Sequence, residues 1–161
     1  MPKRESAGLL MYDDSGEELR VFIAHPGGPY FAKKDAGHWS IPKGELDPGE
    51  DDYLEVARRE FAEEIGHAPP PAGEADYWPL DTIKQKGGKV VHAWAFRGEW
   101  PAERELRSNT FPIEWPPKSG KVIEIPEVDR VAMVTLDEAR RLLKPTQHPF
   151  LERLAALLAS E

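Results

Sequence analysis

The chain has 161 residues, 40 % hydrophobic and 31 % charged, with a formal net charge of −8; that is the makeup of one soluble globular domain, residues 1–161, with a real core. The acidic balance argues against a general nucleic-acid binder, which gains affinity by setting Lys and Arg against phosphates. The absence of cysteine excludes disulfides, thiolate metal sites and a cysteine nucleophile, leaving oxygen and imidazole as ligands. No run of about 18 apolar residues and no cleavable leader pattern occurs, so no membrane association and a cytoplasmic location are expected.

In chain order, Ser6 to Tyr12 and Leu19 to His25 are apolar segments separated by Asp13-Asp14-Ser15-Gly16-Glu17, which reads as two strands joined by a turn. Pro26-Gly27-Gly28-Pro29 opens a loop that runs through Gly37. Its Tyr30, Phe31, Lys33 and Lys34 either cover a substrate or simply dress the surface. A short strand over His38 to Lys43 then aims the chain into Gly44.

From Gly44 to Gly66 the chain is loaded with acid. Gly44, Pro48 and Gly49 favour a turn, and helix-compatible residues run from roughly Asp52 to Ile65 until Gly66 stops them. At about 100° per residue, Leu54, Ala57, Phe61 and Ile65 form one apolar stripe, with Glu60, Glu63 and Glu64 in an arc of roughly 100° beside it. Three carboxylates so placed repel one another unless a cation lies among them. Hard divalent ions such as Mg²⁺ (or Mn²⁺) take oxygen ligands and keep positions for water or phosphate oxygens. The plainer alternative is a solvated acidic helix face.

After the extended His67-Ala68-Pro69-Pro70-Pro71, Tyr77 to Lys84 and Lys89 to Arg97 flank Gly87-Gly88 as a hairpin. Both faces of the second strand are largely apolar, which places it inside a sheet, and His92 reads as a buried histidine with a hydrogen-bond partner. Proline density makes Gly98 to Gly120 an ordered loop whose aromatics either stack a base or pack the loop down. Lys121 to Pro126 and Arg130 to Thr135 read as strands. Thr135-Leu136-Asp137-Glu138 is a capping box for a short helix ended by Lys144-Pro145, and Leu151, Leu154, Ala155 and Leu158 repeat at helical spacing as structural cover. No Gly-Lys-Ser/Thr phosphate loop or Gly-x-Ser-x-Gly turn is present.

Gly44, five residues, Glu50, a spacer, then Arg59-Glu60-Phe61-Ala62-Glu63-Glu64-Ile65-Gly66 closely resembles the signature of the Nudix hydrolases. Trp39-Ser40-Ile41-Pro42-Lys43-Gly44-Glu45 extends that resemblance upstream. Ser108-Asn109-Thr110-Phe111, Glu114-Trp115-Pro116-Pro117 and Pro126-Glu127-Val128-Asp129-Arg130 resemble a subgroup of predicted Nudix pyrophosphohydrolases. The element order fits an α/β/α sandwich around a mixed sheet, and the resemblance supplies its topology.

The resemblance implies metal ligation by Glu60, Glu63 and Glu64, with the Gly44 carbonyl as a further ligand and Arg59 bracing Glu50. It implies a general base in Glu63 or in a loop carboxylate, Glu127, with Glu114 and Glu124 as rivals. The implied activity is Mg²⁺- or Mn²⁺-dependent cleavage of the pyrophosphate linkage in a small nucleotide-type substrate, by a monomer or homodimer. The alternative is a non-catalytic Nudix-fold nucleotide-binding or sensing module. Lys43, Lys118, Lys121 and Arg130 are candidate phosphate contacts. The family pattern places seven residues between the first Glu and the Arg. Here there are eight, Asp51 to Arg58, so the extra residue is expected before the helix, near Asp51-Asp52, where it bears on the position of Glu50.

Overall fold

The computed structural model describes residues 4–160. Its central strand is β1 (Glu5–Asp13). Strand side chains alternate between faces, so β1 sends Ala7, Leu9 and Met11 into one apolar layer and Leu10 and Tyr12 into the other, all of them buried. The remaining strands of the main sheet are β2 (Arg20–Pro26), β3 (Lys43–Glu45), β4 (Trp78–Lys84), β5 (Val90–Arg97) and β8 (Val128–Thr135), and the order is β4-β5-β1-β2-β8 with β3 beside β1. The sheet is mixed: β1 runs parallel to β5 from Glu5↔Val90 to Tyr12↔Arg97, and the other pairings are antiparallel.

The second edge of β1 is divided. Ser6 to Gly8 pair with β3, and Tyr12 and Asp13 pair with β2. This fork directs the chain that follows β3 across the face of the sheet. A Cβ at Gly8 would collide with the Pro42 carbonyl and Lys43, so the approach of that segment depends on a bare backbone at Gly8.

Helix α1 (Tyr53–Ile65) lays Val56, Ala57, Phe61 and Ile65 on the layer that contains Phe22 and Phe96. The apolar stripe is the expected one, except that Val56 is buried while Leu54 packs partly buried at the rim. On the opposite face, α2 (Leu136–Leu142) and α3 (His148–Ala159) contribute Ala139, Leu142, Phe150, Leu151 and Leu154. The result is the α/β/α sandwich read from the sequence. The Thr135 side chain caps α2 by accepting from the Glu138 N–H at 3.3 Å. Gly87 and Gly88 turn the β4–β5 hairpin at φ of +82° and +80°.

Two expectations are corrected. The segment Gly98 to Gly120 is not loop throughout: β6 (Thr110–Glu114) pairs with β7 (Val122–Pro126) as a separate two-stranded ribbon. Most of its side chains face solvent, so it carries no hydrophobic alternation, and Pro112 is tolerated because each strand keeps a free edge. The short strand expected over His38 to Lys43 lies instead at Lys43–Glu45, with only isolated bridges at Trp39 and Ser40. Among the described residues, no helix is long and apolar enough to cross a membrane.

Phe150, fully buried, joins α3 to the sheet. Phe150→Ala is expected to cost about 3–5 kcal/mol, read as a lower midpoint in urea unfolding; a change within about 0.5 kcal/mol, the range of ordinary surface substitutions, would place α3 outside the cooperative core.

Candidate active site

The site forms where α1 passes over β3. Asp52 caps the helix, its side chain accepting from the Glu55 N–H at 3.2 Å, and Gly66 closes it at φ +84°. Asp51 and Asp52 thus lie ahead of the helix, which runs without a break from Tyr53 to Ile65. Glu50 lies beside Arg59. Arg59 grips it through two hydrogen bonds, 2.5 and 3.2 Å, while Glu50 accepts from the Asp47 N–H at 2.7 Å. These bonds hold the Glu50 carboxyl below its ordinary range, the Arg59 contact first. Arg59 also reaches Glu60 at 3.3 Å and Glu63 at 3.8 Å.

Glu60 lies directly against Gly44, where any Cβ would overlap its carboxylate. Glycine is needed there for close approach rather than for its φ. Glu64 is 8 % exposed. Burial pushes its carboxyl up to about 9, with the charges of Glu127 and Glu60 adding to the effect and Lys43 opposing it. Glu60 and Glu127 are also raised, burial first in both cases. Glu63 stands toward solvent, its side chain 46 % exposed, and its charge acts on both Glu60 and Glu127.

Glu60, Glu63, Glu64 and Glu127 therefore form one interacting set, joined across α1 and the start of β8. As their side chains stand, no group of three or more His, Asp or Glu among the described residues is gathered closely enough to hold a metal ion. Glu114 and Glu124 lie exposed on the β6–β7 ribbon, where Glu114 accepts from the Lys118 N–H at 2.8 Å.

A cavity of about 190 Å³ opens beside Glu64 and Glu127 and is also lined by Ser40, Lys43 and Lys144. Burial lowers the Lys43 ammonium, with Lys144 as the next cause; burial likewise lowers Lys144, with Lys89 next. Of the four candidate phosphate contacts, only Lys43 lines this cavity. Lys118 and Lys121 are exposed at the ribbon's turn, and the Arg130 guanidinium lies 5.4 Å from the Trp39 ring centroid. A roomier cavity of about 620 Å³, between Arg58, Phe61, Trp100 and Arg104, is lined by none of the four carboxylates. In the Pro26–Gly37 loop, Tyr30 packs edge-on against Trp115 and Lys34 lies over Phe31, so neither lines the cavity by Glu64. His92 lies 3.2 Å from Glu5 and edge-on to Tyr53, as a partnered histidine.

Sequence reasoning missed two residues. Lys144 enters the site because its backbone N–H bonds the Trp39 carbonyl at 2.9 Å. Gln147, fully buried, clamps the same segment by accepting from the Ile41 N–H at 3.0 Å and donating to Ser40 Oγ at 2.9 Å. Both partners are more than 100 residues away along the chain, and no local pattern signals them.

The NUDIX domain family model matches residues 2–154. An RNA pyrophosphohydrolase of Bradyrhizobium sp. (strain ORS 278) is 26 % identical over 169 aligned positions, covering 99 % of this chain and 94 % of that protein. One of Rhodopseudomonas palustris (strain BisA53) is 26 % identical over 105 positions, covering 65 % of this chain and 56 % of that protein, so the match spans little more than half that relative's length. Among solved structures, a C. elegans Ap4A hydrolase binary complex superposes with a TM-score of 0.68 at 20 % identity, covering 97 % of this chain and 99 % of the other. The NUDIX domain of Shewanella oneidensis NrtR complexed with ADP ribose gives 0.64 at 18 % identity, covering 98 % and 90 %; at such identities the likeness establishes the shared fold. The family match extends over nearly the whole chain, including the carboxylate set of α1 and its brace, and this chain belongs to the Nudix hydrolase family.

Proposed function

We propose that this Nudix chain is a divalent-metal-dependent pyrophosphohydrolase that cleaves the phosphoanhydride linkage of a small nucleotide compound, a nucleoside triphosphate or dinucleoside polyphosphate. The observation that carries the reading is the burial of Glu64 beside Lys43, with its charged form opposed by the charges of Glu127 and Glu60. Such an arrangement works against stability unless a cation is bound. The donors are all hard oxygens, which fits Mg²⁺ or Mn²⁺, and Glu60, Glu63 and Glu64, assisted by Glu127, are the residues that would hold the ion. Bound there, it would offset phosphate charge and acidify a water.

The chain's own groups supply the rest. Lys43 and Lys144 face the carboxylates across the small cavity and would grip the phosphates flanking the scissile bond. Arg59 fixes Glu50, Glu60 and Glu63 together and so sets where the carboxylates stand. Glu127 is favoured over Glu63 as the base because it lines the cavity, whereas Glu63 does not and lies beside Arg59. Relatives bearing the names RNA pyrophosphohydrolase and Ap4A hydrolase support the reaction class. The NUDIX domain complexed with ADP ribose supports the second reading, a binding module that does not cleave. Incubation with nucleoside triphosphates and dinucleoside polyphosphates in Mg²⁺ or Mn²⁺ separates the two; saturable binding with no phosphate-containing product selects the module.

Three outcomes are expected. Glu127→Gln lowers kcat by about 10²–10⁴-fold with KM little changed; an unaltered kcat would transfer the base role to Glu63. Gly44→Ala displaces the Glu60 carboxylate and lowers turnover by about 100-fold, out of proportion to its effect on Tm.

In chelator, pH acts through Glu64. The folded state holds its proton up to about 9 whereas the unfolded chain releases it near 4.5, so the folded state binds more protons between those limits and stability falls as pH rises through them. Wild-type Tm is expected to drop across that window, more steeply than that of Glu64→Gln, and added Mg²⁺ or Mn²⁺ to restore it in wild type alone. Equal slopes in the two proteins would refute the burial argument.

A further inference from the structure

A second cavity, of about 450 Å³, adjoins the one beside Glu64, and the two share His38 and Lys144 in their walls. Its far wall is the β4–β5 turn, which contributes Gln85, Lys86 and Lys89. Lys43, Lys144 and Lys89 repel one another in sequence along this path. Lys89 has one weak partner, Glu45 at 3.8 Å, and that carboxylate is already held by Arg4 at 2.5 Å. Among the described residues neither Lys86 nor Lys144 has an ion-pair partner. The Gln85 side-chain nitrogen is shielded from solvent with no hydrogen-bond partner, a donor left over on the same wall.

A protein with a net charge of −8 thus lines one continuous path with four lysines, starting at the carboxylate set and leading away from it. Opposed cations of this kind are relieved by an extended anion. No Trp, Tyr or Phe lines the second cavity, which disfavours a stacked base, and its size suits a small-molecule moiety.

We infer that the cavity between the β4–β5 turn and Lys144 is a subsite for the distal phosphates of a long polyphosphate chain, so that the substrate class is a nucleotide with four or more phosphates in line. This inference rests on the proposed hydrolase reading and refines it: the scissile linkage lies by Glu64 and Glu127, and the remaining phosphates run past Lys144 to Lys89 and Lys86.

The test compares the full-length protein with Lys86→Glu/Lys89→Glu, a change confined to the hairpin turn whose folding is checked by thermal melting. Turnover in Mg²⁺ is measured for ATP, for diadenosine tri-, tetra-, penta- and hexaphosphate, and for a 5′-triphosphorylated RNA oligonucleotide. The wild type is expected to favour the hexaphosphate over the triphosphate by about tenfold or more in kcat/KM, through KM, and the double variant to lose that ratio. A flat chain-length series, a ratio that survives in the variant, or a preference for the RNA over every dinucleoside polyphosphate overturns the inference. Calorimetric binding of inorganic tripolyphosphate in chelator keeps the two ideas apart. Binding weakened about tenfold or more by the double variant, without hydrolysis of any compound, would end the hydrolase reading and leave the subsite standing. Hydrolysis with tripolyphosphate binding indifferent to both lysines would do the reverse.

Discussion

Burial of the Glu64 carboxylate where α1 crosses β3 is the constraint on which the rest of this structure depends. The apolar stripe of α1, with Phe61 and Ile65 seated on the sheet, draws the helix in by the hydrophobic effect and carries Glu64 inward with it. The opposing strand accepts that approach because Gly44 presents bare backbone to Glu60. Helix packing thus drives the assembly, and the electrostatic cost is concentrated on a few oxygens whose charged forms burial and mutual repulsion oppose. On the proposed reading this cost is the means by which the protein selects a doubly charged ion.

Arg59 keeps the crowding ordered. One guanidinium fixed to Glu50 and within reach of Glu60 and Glu63 sets the loop before α1 and the acidic face of α1 in one frame, which a lysine with a single ammonium does less well. Facing this acidic edge is a basic one assembled from β3, the β4–β5 turn and Lys144, two residues beyond α2. An anionic nucleotide would be repelled by the molecule's overall charge and drawn in by the local field of the lysines, which are nearer, with Lys43 and Lys144 partly desolvated.

The helix of the site was legible because its determinants are local. Asp52, Gly66 and the spacing of Phe61, Glu60, Glu63 and Glu64 lie within one short segment, and a helix of fixed pitch turns spacing into direction. An extra residue inside α1 would rotate the following glutamates by about 100°, and α1 begins at Tyr53, with Asp51 and Asp52 ahead of it. The β6–β7 ribbon escaped the sequence reading since it buries almost nothing and so has no period to detect. The strand at Lys43–Glu45 was misplaced by a few residues because its pairing is dictated by Ser6 to Gly8 of β1, not by its own composition.

By itself, the sequence determined the two-sided apolar character of the central strands, the acidic helix with its cap and stop, and the family resemblance of the segment from Gly44 to Gly66. These are written in residues a few positions apart, where backbone geometry alone relates them. Only the tertiary structure decided that Glu127 faces Glu64, that Lys144 and the turn bearing Lys86 and Lys89 extend the same cavity system, and that Gln147 ties Ser40 and Ile41 in place. Those neighbours are brought together by strand pairing and by the packing of helices on both faces of the sheet. Such long-range juxtapositions leave no period, spacing or composition in the chain from which they could be read.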